Sequence, residues 1–187
     1  MRILCHICCA PCYLAVGKTL TDAGHKVEGF FYNPNIHPLI EFRRRLKSVR
    51  VLQEQLKFPL RAVEEYGLRR FLRLVAFRED QSERCPLCYR QRLYRTAQHA
   101  AENGYDAFTT TLLSSTHQDH NQIAEIGREA AARAGSKFYY QDFRPDSKAA
   151  HEEAKRRQLY LQNYCGCIYS EYERYRDTTK ELYKGKG

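Results

Sequence analysis

Short apolar segments alternate with longer helical patterns along this chain, and that alternation limits the possible fold more than any other feature. The apolar segments are RILCHI, KVEGFFY, FPLRAV, AFTTTLL and KFYY, which are typical of buried strands. Helical patterns separate them, and they run from just after Pro11 to Gly24, over 39–56, over 85–104, and over QDHNQIAEIGREAAARAG. Strands joined by helices of this length predict a Rossmann-like α/β fold, with a parallel sheet covered on both faces.

The size of the chain favours one domain. With 187 residues, of which 43% are hydrophobic, it can fill one core. We predict a single α/β domain over 1–187, in which 147–187 form a helical C-terminal extension. No apolar run is long enough to span a bilayer, and the N-terminus lacks the pattern of a secretory signal. We therefore expect a cytoplasmic protein with no membrane partner.

Positive charge is concentrated in the first half of the chain. Residues 1–95 contain 18 of the 31 basic residues and 9 of the 22 acidic ones, so this half holds the entire net charge of +9. The densest cluster is EFRRRLKSVR, which includes Arg43, Arg44 and Arg45. Such clusters are often solvated helix faces, but a one-sided excess in a chain with 14 tyrosines favours RNA as a partner.

The eight cysteines indicate metal binding or redox chemistry. Four lie in the opening MRILCHICCAPC, and the others form the motifs CPLC and CGC. Cytosolic thiols are kept reduced, so grouped cysteines there are seldom structural disulfides. Two such groups together supply four thiolates, a number that suits a zinc ion and an iron-sulfur cluster equally well. Gly166 would let the CGC sulfurs reach one metal or form a strained, reducible disulfide.

Three of the loops are predicted to converge. CCAPC follows the first strand, NPNIHP the second and LLSSTHQDH the fourth. Because ligands of open parallel sheets bind beyond the carboxyl ends of the strands, these loops should share one edge. The first loop lacks the glycine-rich patterns that bind phosphates. Cysteines therefore occupy the position of a nucleotide-binding loop.

Five ordered motifs resemble the epoxyqueuosine reductase family called QueH. They are HICCAPC, FYNPNIHP, CPLCYRQRL, FTTTLL and NYCGCIYS, and they extend from about Ile3 to Tyr172. The resemblance implies an enzyme that reduces epoxyqueuosine to queuosine in the anticodon loop of tRNA, without cobalamin, in the last step of queuosine synthesis. It also implies a fold similar to the adenine-nucleotide α-hydrolase group, a 4Fe-4S cluster, a further iron ion and an unidentified electron donor.

The resemblance also implies roles for individual cysteines. Cys165 and Cys167 would be a redox-active pair or lie beside the second metal, for which Cys12 is the candidate ligand. We expect Cys5 to be a small buried side chain of the first strand. The cluster ligands carried over by motif are Cys8, Cys9, Cys85 and Cys88.

The substrate nucleoside must leave the anticodon loop to reach a buried centre. A flipped base could stack on Phe31, Tyr32 or Tyr164, and Asn33 could read its edge. His120, at the start of a helix, is the candidate proton donor. The phosphate contacts are assigned to Arg43, Arg44 and Arg45.

Two other functions fit the residues. One is a zinc-stabilised RNA-binding module without catalysis, and the other is a thioredoxin-like dithiol oxidoreductase that acts through CAPC at a helix N-terminus. Iron and acid-labile sulfide content separates them from the reductase, because the first would contain zinc alone and the second would be active without metal.

Overall fold

A four-stranded parallel sheet is the centre of the computed structural model, which describes residues 1–178. The strands are β1 (Arg2–His6), β2 (Lys26–Phe31), β3 (Leu60–Ala62) and β4 (Ala107–Thr110), in the order β3-β2-β1-β4. β1 is buried from Ile3 onward because it pairs with β2 on one side and with β4 on the other. The predicted Rossmann-like α/β class is confirmed.

Local chemistry explains the boundaries of two helices, α1 and α5. Pro11 lies in the first turn of α1, where its missing N–H costs nothing. α5 follows Asp119, whose carboxylate accepts from the Gln122 N–H at 3.0 Å, and ends at Gly135 with a φ of 66°. The helices are α1 (Ala10–Asp22), α2 (Leu39–Leu56), α3 (Leu68–Val75), α4 (Gln81–Glu102), α5 (His120–Ala134), α6 (Ser147–Arg156) and α7 (Ile168–Tyr175), with 3-10 helices at Thr111–Ser114 and Arg144–Asp146.

The sequence prediction of the fifth strand was wrong. KFYY makes one isolated bridge, between Phe108 and Phe138. The segment still packs on the sheet, because the Phe108 and Phe138 rings are 5.2 Å apart. Gly127 of α5 leaves room for this packing, since a Cβ there would come within 2.5 Å of the Phe138 ring. Two backbone hydrogen bonds, from the Phe108 N–H to the Lys137 carbonyl and from the Tyr139 N–H to the Phe108 carbonyl, each 2.8 Å long, also hold the segment beside β4, but the pairing extends no further than this bridge.

The C-terminal extension is only partly helical. An irregular segment, 157–167, separates α6 from α7, and residues 179–187 of the predicted extension lie outside the described residues. Ala150, Ala154 and Leu159 belong to the same buried cluster as the sheet residues, so α6 extends the core. Among the helices in 1–178, none is both long enough and apolar enough to cross a membrane.

The buried ring of His37 should make stability depend on acid pH. It packs against Tyr66 and Phe71, and burial lowers the pKa of His37 from 6.5 to about 4. Because the unfolded chain takes up this proton more readily, the native state loses stability as pH falls from about 6.5 towards 4. His37→Phe replaces the imidazole with an aromatic ring that cannot take up a proton. The free energy of unfolding of this variant should therefore fall less between about pH 7 and 5 than that of the parent, by on the order of 1 to 2 kcal/mol. Urea unfolding of both proteins at the two pH values measures this, and equal pH dependence would contradict it.

Candidate metal and redox centre

The loops after β1, β2 and β4 meet at one edge of the sheet, as predicted. The Cys8 N–H donates to Thr111 Oγ1 at 3.0 Å, which joins the first loop to the segment after β4. Asn33 Nδ2 donates to the Ile7 carbonyl at 2.8 Å and joins the loop after β2 to the same place. All three loops therefore lie together at the carboxyl edge of the sheet, next to the end of β1.

Three sulfur atoms of the first loop lie close together. Those of Cys8, Cys9 and Cys12 are within 4.8 Å of one another, a spacing that could hold a metal ion. The Cys9 and Cys12 sulfurs are in disulfide contact, and Cys9, the N-cap of α1, accepts from the Cys12 N–H at 3.3 Å. A helix N-terminus favours a thiolate over a thiol. A disulfide leaves no thiolate for a metal, so ligation by Cys9 or Cys12 requires both to be reduced.

A second set of thiols lies where α4 approaches the CGC motif. Cys88 and Cys167 are buried in one apolar cluster, and Cys165 and Cys167 act electrostatically on both CPLC thiols. Burial raises the pKa of Cys85 to about 11 and that of Cys88 to about 12. Neutral thiols must lose their protons before they bind a metal. Within 1–178, only the first-loop sulfurs form a group of three close enough for one ion.

Arg92 of α4 brings a buried positive charge among these thiols. Its side chain is 1% exposed, and Nε donates to the Cys88 carbonyl at 3.2 Å. Its electrostatic neighbours are Cys88, Cys165, Cys8 and the Tyr89 phenol, and in the described part of the chain Nη2 has no hydrogen-bond acceptor. A buried guanidinium is costly unless negative charge compensates it. The surroundings of Arg92 therefore favour thiolates, or an anionic group that thiolates hold.

Two glutamine side chains contact sulfur atoms of different motifs. Gln162 Nε2 donates to Cys9 Sγ at 3.0 Å and lies 3.6 Å from Cys12 Sγ. Gln118 Nε2 donates to Cys165 Sγ at 3.4 Å, while its own Oε1 accepts from the Tyr89 hydroxyl at 2.9 Å. Amide donors stabilise negative charge on sulfur and fix its position. Each glutamine thus contacts the sulfur of a cysteine that the sequence marks as reactive: Gln118 a free thiol, and Gln162 the paired sulfurs of the first loop.

An open cavity of about 460 Å³ lies beside Cys165, and His117, Gln118, Gln162 and Tyr164 are among its lining residues. The histidine that faces the cavity is His117 and not the predicted His120, whose buried ring is hydrogen-bonded to the Ser115 carbonyl at 3.1 Å. A larger cavity of about 690 Å³ between α1 and α6 has no cysteine in its lining. The smaller cavity is therefore the one that can present a ligand to the thiols.

Arg45 anchors the CGC segment and does not face RNA, contrary to the prediction. Its side chain is 1% exposed, and Nε donates to Glu41 Oε1 at 2.6 Å. Nη1 and Nη2 donate to the carbonyl oxygens of Cys165 and Tyr164, each at 2.9 Å. Gly166 makes this close approach possible, since it has a φ of 136° and a Cβ there would lie 3.1 Å from the guanidinium. The buried arginine therefore fixes the backbone that carries the redox-active candidates.

Burial also corrects three predicted base contacts. Phe31 is fully buried, and Asn33 is 2% exposed. Tyr32 is 8% exposed, and its hydroxyl accepts from Arg70 Nη1 at 3.2 Å. These side chains are nearly or fully buried and support the loop after β2, so they are not free to stack on or read a base. The candidates that remain accessible are Tyr164 at the cavity and the exposed Arg43 and Arg44.

Sequence reasoning missed Arg92, Gln118 and Gln162. A signal existed for Arg92, because it follows Cys85 and Cys88 at a spacing that places all three on one helix face. The glutamines have no comparable signal. Their contacts depend on how two distant loops fold over the thiols.

A comparison with known families decides the assignment. The model described as "Epoxyqueuosine reductase QueH" matches residues 3–173. This chain belongs to that family. The proteins named Epoxyqueuosine reductase QueH include one from Dehalococcoides mccartyi, 36% identical over 174 residues that span 93% of this chain and 94% of the relative. Another, from Thermotoga maritima, is 35% identical over 195 residues that span 99% of this chain and 97% of the relative. A third, from Helicobacter pylori, is 38% identical over 182 residues that span 90% of this chain and 49% of the relative.

The family match confirms the resemblance seen in the five sequence motifs. It extends from β1 into α7, so all three cysteine groups of this QueH family member lie within it. The individual roles of the cysteines stay predictions.

The buried ion pair of Arg45 should be essential to stability. Arg45→Ala would leave the Glu41 carboxylate buried without its partner and should lower the free energy of unfolding by about 3 kcal/mol. Arg43→Ala, at an exposed position of the same helix, is the matched control and should change it by less than about 0.5 kcal/mol. Urea unfolding followed by circular dichroism measures both values. Equal stability of the two variants would contradict the anchoring role.

Proposed function

We propose that this protein is an epoxyqueuosine reductase, which converts epoxyqueuosine in tRNA to queuosine by a two-electron deoxygenation without cobalamin, in the last step of queuosine synthesis. One observation carries the proposal: thiols of all three cysteine groups, Cys8, Cys88 and Cys165, are electrostatic neighbours of buried Arg92 in a chain that belongs to the QueH family. Cys165 also lines a cavity. The relatives that share this name cover nearly the whole chain.

The reaction defines what the site must provide. Conversion of an epoxide to an alkene consumes two electrons and two protons and releases the oxygen as water. The site therefore needs a source of electrons, a proton donor and groups that hold the nucleoside. The described residues offer candidates for each requirement.

A 4Fe-4S cluster with a further iron ion suits the chemistry of these donors, because thiolates are the usual ligands of such clusters. The proposed cluster ligands are Cys8, Cys9, Cys85 and Cys88, and Cys12 is the proposed ligand of the further iron. Buried Arg92 supports this assignment, because a guanidinium without a carboxylate partner matches an anionic, thiolate-bound group. When bound, such a cluster would supply electrons one at a time, and the further iron would supply Lewis-acid chemistry for the epoxide oxygen.

Cys165 and Cys167 are the proposed redox-active pair. Two thiols deliver two electrons and two protons when they form a disulfide, which spares the substrate a lingering radical. Cys165 lines the cavity, and Cys167 caps α7 and accepts from the Ser170 N–H at 3.3 Å. Gln118 orients the first sulfur, and Arg45 holds the backbone between them.

The remaining roles fall to the cavity and the surface around it. His117 is the proposed proton donor, because it lines the cavity and His120 does not. Tyr164 is the proposed stacking partner of the flipped base, and exposed Arg43 and Arg44 would contact phosphates of the tRNA. The electron donor is a separate, unidentified partner. The cytoplasmic location expected from the sequence stays a prediction.

The cofactor proposal predicts the colour and metal content of the protein. Protein prepared without oxygen should be brown and contain acid-labile sulfide and more iron than one 4Fe-4S cluster requires, because the three cysteine groups offer more thiols than one cluster uses. Metal and sulfide analysis with an absorption spectrum measures this. Colourless, zinc-loaded protein with full activity would contradict it.

The proposed division of the thiols predicts two kinds of variant. Cys85→Ser and Cys88→Ser should lose cluster content, since each removes a soft ligand. Cys165→Ser and Cys167→Ser should keep the cluster spectrum but fail to convert epoxyqueuosine-containing tRNA. Cys5→Ser is the control. Cys5 is fully buried in β1, so its replacement by a polar serine should lower stability without affecting the cluster or the reaction.

Anaerobic spectra and mass analysis of nucleosides from digested tRNA distinguish the two kinds. Loss of the cluster in Cys165→Ser together with its retention in Cys85→Ser would reverse the assignment, with CGC as ligands and CPLC as the working pair.

A further inference from the structure

Phe77 is a large apolar side chain that a strained backbone holds in solvent. It lies in the turn between α3 and α4, is 95% exposed and has a φ of 62°. This left-handed conformation, just after a helix, is usually taken by glycine or asparagine and is costly for a bulky residue. Neither the local conformation nor core packing accounts for a phenylalanine here. Its ring is therefore available to a partner.

Four arginines of α3 and of the following turn are close to Phe77 in the sequence and add positive charge to this part of the protein. Arg69, Arg73 and Arg78 are exposed, and within residues 1–178 none of them forms an ion pair. Arg70 is also exposed and donates to the Tyr32 hydroxyl. A group of arginines that outnumbers the neighbouring carboxylates attracts a polyanion.

α3, which carries Arg69, Arg70 and Arg73, covers part of the thiol site. Phe71 and Val75, one turn apart on α3, are fully buried in a cluster with two of the cysteines. Helical periodicity places Arg69 and Arg73 on the opposite side of α3. The charged surface therefore lies directly outside the candidate redox centre.

We propose that Phe77, Arg69, Arg73 and Arg78 form a binding surface for an unpaired RNA loop. A base stacks on the ring, and the arginines bind the adjacent phosphates. Residues 69–80 contain four arginines against two carboxylates, Glu79 and Asp80, so charge favours RNA over an apolar protein partner. That this RNA is the tRNA substrate rests on the proposed function, whereas the binding of an RNA loop does not.

The test compares two unmodified RNA probes, a stem-loop and a fully paired duplex with the same number of phosphates. Phe77→Ala should weaken stem-loop binding roughly 5- to 100-fold, as expected for the loss of one stacked base, and leave duplex binding unchanged. Phe77→Trp should retain stem-loop binding. The double variant Arg69→Ala/Arg73→Ala should weaken binding of both probes and flatten the slope of log affinity against log salt by about one to two units.

Matched controls separate this surface from general effects of charge and aromaticity. Tyr140→Ala removes another exposed aromatic, and Arg128→Ala removes an exposed arginine of α5, and both should bind like the parent. Phe77→Gly should bind as weakly as Phe77→Ala yet melt at a higher temperature than the parent, because glycine relieves the left-handed strain. Melting curves of every variant show that reduced binding does not come from unfolding.

Three results would overturn the proposal. One is parental stem-loop affinity in Phe77→Ala, and another is an equal loss on stem-loop and duplex. The third is a change of sedimentation in Phe77→Ala with RNA affinity unchanged, which would show that the ring contacts a second copy of the chain. Because both probes lack the modified base, failure here is distinct from failure of the reductase, which only nucleoside conversion reports.

Discussion

The pairing of β1 with a parallel neighbour on each side is the constraint on which the rest of the structure depends. Ile3 pairs with Val27 of β2 and with Ala107 of β4, so all three strands point the same way. Their carboxyl ends then lie at one edge, and the chain reaches Cys8 immediately beyond the end of β1. A loop so short cannot leave this edge. The site is therefore a consequence of strand direction before any side chain contributes.

Two buried arginines show how charge inside the protein is compensated in different ways. Arg45 has a carboxylate and two carbonyl oxygens as partners, so its charge is satisfied by the protein alone. Arg92 lies among thiols and has one unpartnered nitrogen in the described structure. The first arrangement stabilises a loop, and the second matches an anionic group that thiols hold. Residues of one type thus serve as a structural anchor and as an electrostatic complement to the site.

A short helix links the buried centre to the surface. α3 packs Phe71 and Val75 against the cysteines and directs arginines towards solvent. The same element therefore excludes water from the thiols and concentrates positive charge above them. Exclusion of water strengthens the electrostatic interactions of the site, while the charge attracts a polyanion to it.

The sequence by itself determined the α/β class, the parallel sheet and the edge at which three loops meet, because strand patterns, turns and loop order are local and are read from neighbouring residues. It also marked the cysteine groups and, through the resemblance of five ordered motifs, the family. The tertiary structure alone decided which basic and aromatic residues are accessible. Arg43 and Arg45 are two residues apart in one cluster, yet one is exposed and the other buried, because only Arg45 faces the segment that returns from residue 164. Contacts of Gln118 and Gln162 with sulfur were decided in the same way, since they join parts of the chain that no local pattern relates.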